Sequence, residues 1–118
     1  MIAVAVGLDS HECISELNVT GHAGLDIKGN DPLCAAVSIL TRTLLTALYA
    51  TGVADIKDEH EQEGMLAAEI TIQDSADFSR IAGITAFFLT GLFELQNDYP
   101  QTIMIDLFTK NSEETDGT

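Results

Sequence analysis

Between Gly21 and Leu40 the chain reads GHAGLDIKGNDPLCAAVSIL, and four of its side chains are able to do chemistry together: His22, Asp31, Cys34 and Ser38. A cysteine attacks as the thiolate. A helix N-terminus favours that anion through its free N–H groups and its macrodipole. Asp31 is suited to the N-cap and Pro32 to the first helical position, which places Cys34 in the first turn. An imidazole nearby would take the thiol proton. His22 lies on the glycine loop leading into this helix, and Gly24 and Gly29 let that loop fold back. The N–H groups at the helix start could hold an oxyanion. Nucleophile, base and anion hole are the minimum parts of a cysteine hydrolase.

Each part also has a structural reading. Cys34 can be a small core residue, His22 can bond a backbone carbonyl, and Ser38 can back-bond to its own helix. A carboxylate at Asp31 disfavours a neighbouring thiolate, so Asp31 is given a supporting role. His11, Cys13 and His60 lack zinc-ligand spacing, and Glu59, Glu61 and Glu63 lack the pattern of a calcium loop. No metal site and no cofactor are expected.

The elements that must position these residues follow from periodicity. Ile2, Val4, Val6 and Leu8 alternate with small residues as a strand, and Ser15, Leu17 and Val19 continue into a second, antiparallel one. Leu33, Val37, Leu40, Leu44 and Leu48 define one stripe of a helix from Asp31 to about Ala50, stopping at Gly52; Cys34 and Ser38 fall on another stripe. A strand over 53–58, a charged hairpin loop over 58–64 and a strand around Leu66, Ala68, Ile70 and Ile72 come next. A second helix is expected from about Ala76 to Gln96, capped by Asp74 or Ser75. It is apolar on most sides, so burial on more than one face is expected, against a second subunit or inside the monomer. Ile103, Ile105 and Leu107 form the last strand. The order ββαββαβ predicts a single α+β domain over residues 1–110, a mainly antiparallel mixed sheet packed by two helices, with 111–118 as an acidic flexible tail.

Composition narrows the partners. The chain has 118 residues, 46% of them apolar, so it can bury a core without disulfide staples. Its two cysteines suit a reducing, cytoplasmic setting. The longest apolar run, Ile81 to Phe93, is too short and interrupted to span a bilayer, and the N-terminus does not read as a signal peptide. Five basic residues against nineteen acidic ones give a formal charge of −14. Direct nucleic-acid binding is therefore disfavoured and a basic protein partner favoured.

The GHAG loop at Gly21–Gly24, followed by Asp31 and by Cys34-Ala35-Ala36-Val37-Ser38, resembles the ribosomal-processing cysteine protease family of bacteria, Prp, in order and spacing. The resemblance covers the whole chain by length and element order. It implies His22 and Cys34 as a catalytic dyad, with Gly21, Gly24, Asp31 and Ser38 shaping the site. It further implies a homodimer that removes a short N-terminal extension from large-subunit ribosomal protein twenty-seven, beside a pair of phenylalanines. Pro32 departs from the family's usual aliphatic residue, and the spacer LDIKGN is individual. Two other readings stand beside this one: a non-catalytic acidic module that binds a basic ribosomal protein, and a metal-binding regulator.

Overall fold

The computed structural model describes residues 1–21, 31–62, 65–74 and 76–110. Its elements are β1 (Ile2–Leu8), β2 (Ile14–Gly21), α1 (Pro32–Ala50), β3 (Ala54–Gln62), β4 (Met65–Ile72), α2 (Phe78–Asp98) and β5 (Ile103–Thr109). One five-stranded sheet has the order β3-β4-β2-β1-β5. β1 pairs antiparallel with β2 and parallel with β5. β4 pairs antiparallel with β2 and β3, so the sheet is mixed and mainly antiparallel, as the element order predicts.

The alternation in β1 sorts its two faces. Ile2, Val4 and Val6 are buried in the core with Leu17, Ala68, Ile70 and Ile103. The helices close this face with Leu33, Val37, Leu44 and Leu48 from α1 and Ile81, Phe88 and Leu92 from α2. The two helices touch where Leu40 packs over Gly91, whose missing Cβ leaves room for it. The other sheet face carries Ala3, Glu16, Glu69, Met104 and Asp106, none of them buried. Glu16 and Glu69 stand opposite each other in the β2–β4 register, and the Lys110 ammonium lies 2.8 Å from one and 3.2 Å from the other. A like-charged cross-strand pair is thereby bridged by a cation from the end of β5.

The β1–β2 connection is an Asp-centred turn. Asp9 Oδ1 accepts from the N–H groups of His11 and Cys13, and Glu12 takes φ 61°. α2 is pinned beside it: the Thr85 hydroxyl donates to the Ile81 carbonyl and accepts from the Ile14 N–H.

Four expectations need correction. β3 runs on to Gln62, because its pairing with β4 resumes at His60–Ala67 after an irregularity following Lys57. The cap of α2 is Asp77, whose carboxylate accepts from Ser79 and Arg80, and the helix extends to Asp98. α2 is not sandwiched within the chain, since Phe87 is 77% exposed and Phe93 44%. Finally, both helices are long and apolar enough, by length and composition alone, to cross a bilayer, which the interrupted run 81–93 does not suggest. In this fold each turns one face onto the sheet. The expected tail, 111–118, lies outside the described residues.

Candidate active site

α1 begins as its sequence dictates. Asp31 is extended (φ −83°, ψ 111°), caps the helix, and is followed by Pro32, which has no N–H to satisfy. Asp31 Oδ1 accepts from the N–H of Leu33 at 2.9 Å and of Cys34 at 3.2 Å. The Asp31 carbonyl accepts from Ala35 N–H at 3.1 Å, the first bond of the helix ladder. The second carboxylate oxygen, Oδ2, accepts from the Cys34 thiol at 3.4 Å. Asp31 is buried at 6% exposure, and Cys34 is half-buried.

This geometry revises the expected anion hole. The N–H groups of the first turn, at Leu33, Cys34 and Ala35, are all engaged by Asp31. The carboxylate also offsets the positive end of the helix dipole. An oxyanion would therefore take its donors from outside the helix start. The sequence held a signal of this: an aspartate three residues before the cysteine has the spacing at which an N-cap side chain satisfies the third helical N–H.

Cys34 is the thiol with access to solvent. Cys13 is also free, but it is fully buried, and its Sγ donates to the Phe78 carbonyl at 3.4 Å. Burial, with the Asp9 carboxylate adding to it, pushes the Cys13 thiol up to about 11. His11 stacks on the Phe78 ring at a centroid distance of 4.0 Å. Both residues are structural, as their sequence positions indicate. Among the described residues no group of three His, Cys, Asp or Glu side chains could hold a metal.

Gly21 closes β2 opposite Ile2. Its φ is +94°, and a Cβ there would run into the Met1 carbonyl oxygen. The first glycine of the GHAG stretch is thus required by backbone geometry, where the chain leaves the sheet toward His22. Ser38 is exposed, one turn beyond Cys34. His22 and Gly24 lie outside the described residues. Of the predicted site, the structure brings together Asp31 and Cys34.

The described part of the predicted site is thus a half-buried thiol in the first turn of a helix, held by the aspartate that caps it. The comparisons with known proteins carry this further. Residues 1–104 match the model of the cysteine protease Prp family, and the chain belongs to that family. Its fold is that of the S. aureus ribosomal processing protease Prp, solved in complex with a covalently linked product peptide: TM-score 0.74 at 18% identity, covering 91% of this chain and 99% of that one. The same protease with a substrate peptide gives a TM-score of 0.69 at 17% identity, covering 91% and 99%. SMU.848 from Streptococcus mutans gives 0.70 at 24% identity, covering 93% and 96%. No curated protein matches the chain by sequence.

Proposed function

We propose that this cysteine protease works through Cys34 as nucleophile and His22 as base, and that it removes the N-terminal extension of large-subunit ribosomal protein twenty-seven. The observation that carries the reading is the Cys34 thiol held 3.4 Å from Asp31 Oδ2 at the start of α1, in a chain of the Prp family.

At rest the thiol donates to Asp31, so sulfur keeps its proton and its orientation. The nearby carboxylate opposes thiolate formation. Activation is therefore the task of His22, which takes the proton from Cys34 Sγ as the sulfur bonds to the scissile carbonyl carbon. The imidazolium gives that proton to the leaving amine as the C–N bond breaks. Water, deprotonated by His22, then hydrolyses the thioester and restores the thiol. Gly21 fixes where the chain leaves the sheet toward His22, and Ser38 stands exposed one turn beyond Cys34, positions that with Gly24 would shape the site.

The charge of −14 supports the rest of the reading. It steers a basic ribosomal protein inward and holds RNA off. The enzyme acts in the cytoplasm as a homodimer, off the membrane, and uses no metal or cofactor.

One observation favours a second reading. A thiol parked on an anion, with the helix-start donors occupied, also suits a non-catalytic module that binds a basic ribosomal protein. The two readings separate on a fluorogenic peptide carrying the host's own extension sequence. Cleavage beside the phenylalanine pair by wild type, and by neither Cys34→Ala nor His22→Ala, supports the protease. Binding without cleavage by all three supports the module.

A further inference from the structure

Arg42 is the one charged residue of α1. From Pro32 to Ala50 the helix has no aspartate or glutamate, in a chain where acidic residues outnumber basic ones nineteen to five. The other described cations stand beside acids. Lys110 bridges Glu16 and Glu69, Lys57 lies 3.7 Å from Asp55, and Arg80 follows the capping Asp77 in the first turn of α2. Arg42 is exposed, and among the described residues it is in no ion pair. Its neighbours one turn away are Ser38, Ile39, Leu45 and Thr46, and none of them carries charge.

Two rows of the helix meet at Arg42. Cys34, Ser38 and Arg42 follow one another at intervals of four, each about 6 Å further along the axis. Ala35 and Ile39 run beside them, both exposed, Ile39 at 54%. The core side of the helix is formed by Val37, Thr41, Leu44 and Leu48. Leaving the thiol along α1, the surface is therefore small and neutral at Ala35 and Ser38, apolar at Ile39 and cationic at Arg42. The cation stands on the order of 12 Å from Cys34 along the axis.

We infer that Arg42 is a specificity-determining residue of the protease, receiving the carboxylate of an acidic side chain in the polypeptide cut at Cys34. The inference rests on the assignment of Cys34 as nucleophile above and adds a position to it. An extended chain advances about 3.3 Å per residue, so Arg42 reaches a residue roughly three to five positions from the scissile bond. The guanidinium fork takes a carboxylate through two parallel hydrogen bonds. Charge makes the position selective. The net charge of −14 favours a basic substrate as a whole. Along α1 no acid faces the substrate and one cation does, so there an acidic residue is accepted and a lysine opposed. Ile39 beside it offers apolar contact to the adjoining substrate residue.

The test uses fluorogenic peptides carrying the host's own extension sequence, with a single Asp or Lys placed three, four or five residues to either side of the scissile bond. Wild type, Arg42→Gln and Arg42→Glu are compared, with folding checked by circular dichroism. At one of these positions wild type is expected to cleave the Asp peptide with a KM about fivefold or more below that of the Lys peptide, a preference absent at the others. Arg42→Gln should flatten that preference and Arg42→Glu should invert it, at unchanged kcat. Iodoacetamide should label Cys34 at the same rate in all three. An identical peptide ranking in wild type and Arg42→Glu overturns the inference. So does a change in kcat or in labelling that is the same for every peptide, since Arg42 would then act on the thiol. Anisotropy of the same peptides on Cys34→Ala, with and without Arg42→Glu, separates this result from the protease reading. A charge preference in binding that Arg42→Glu inverts, without cleavage by wild type, sinks the protease and supports Arg42 as a recognition residue. No charge preference in binding overturns the role of Arg42 even where wild type cleaves.

Discussion

Asp31 holds Cys34 through two different atoms: Oδ1 accepts from the Cys34 N–H at 3.2 Å, and Oδ2 accepts from its thiol at 3.4 Å. One carboxylate thus caps the helix and accepts from the sulfur. Asn keeps the capping oxygen and discards the charge. Asp31→Asn is expected to stay within about 0.5 kcal/mol of wild-type stability, whereas Asp31→Ala should lose about 1 kcal/mol. In Asp31→Asn the Cys34 thiol should ionise more easily, raising its alkylation rate at neutral pH roughly tenfold per unit by which the pKa falls. Denaturant titration and iodoacetamide kinetics check both; an unchanged or slower alkylation would remove Asp31 from control of the thiol.

Gly21 combines a positive φ with the Met1 carbonyl where a side chain would go. Gly21→Ala should therefore destabilise the chain by about 1–3 kcal/mol, through backbone strain and a displaced β1 start. Urea unfolding measures it, and a loss below a few tenths of a kcal/mol would contradict the reading.

Cys13 is protonated in the fold up to about pH 11, against an ordinary value of 9.0. Above pH 9 the unfolded chain releases this proton first, so unfolding gains while folding does not. Stability should fall by about 1.4 kcal/mol per pH unit from this group between pH 9 and 11, and be unaffected by it below pH 9. Comparing the pH slopes of wild type and Cys13→Ala isolates the contribution; parallel slopes would show that the thiol ionises freely in the fold.

Lys110 bridges Glu16 and Glu69 on the open sheet face, and the hydrogen bond to Glu16 is the main reason its ammonium is held above its ordinary pKa. The groups are partly exposed, so Lys110→Met should cost no more than about 1 kcal/mol at low salt and less at high salt. With Glu69→Gln already present the cost should shrink, because the like-charged pair has been relieved. A double-mutant cycle by thermal unfolding reads the coupling, and additive effects would exclude it.

Thr41 is buried on α1, and among the described residues its hydroxyl has no hydrogen-bond partner. Thr41→Val removes an unsatisfied group at nearly constant shape and should be neutral or stabilising by up to about 1 kcal/mol. A clear loss of stability would reveal a partner for that oxygen.

Strands and helices were legible in the sequence wherever one face was buried. Ile2, Val4 and Val6, and Leu33, Val37, Leu44 and Leu48, sit in the core where their periodicities put them. The start of α1 was legible because Asp31-Pro32 is local chemistry. The start of α2 was not, because Asp74, Ser75 and Asp77 all carry capping side chains, and the choice falls to Asp77 through Ser79 and Arg80. The polar end of β3 was hidden because its strand character comes from pairing with β4 and not from alternation. In the site, the types of Asp31 and Cys34 were readable, but the two-handed contact was not: it depends on which oxygen faces the sulfur. The apolar excess of α2 was plain from composition, while its exposure required the three-dimensional arrangement.

The central claim is that Cys34 reacts because His22 takes its proton. The most direct measurement is peptide-mapped iodoacetamide labelling at pH 7 of wild type and His22→Ala. The account predicts label on Cys34 and none on buried Cys13, with the Cys34 rate falling at least tenfold in His22→Ala. An unreactive Cys34, or one that labels equally fast without His22, would contradict it.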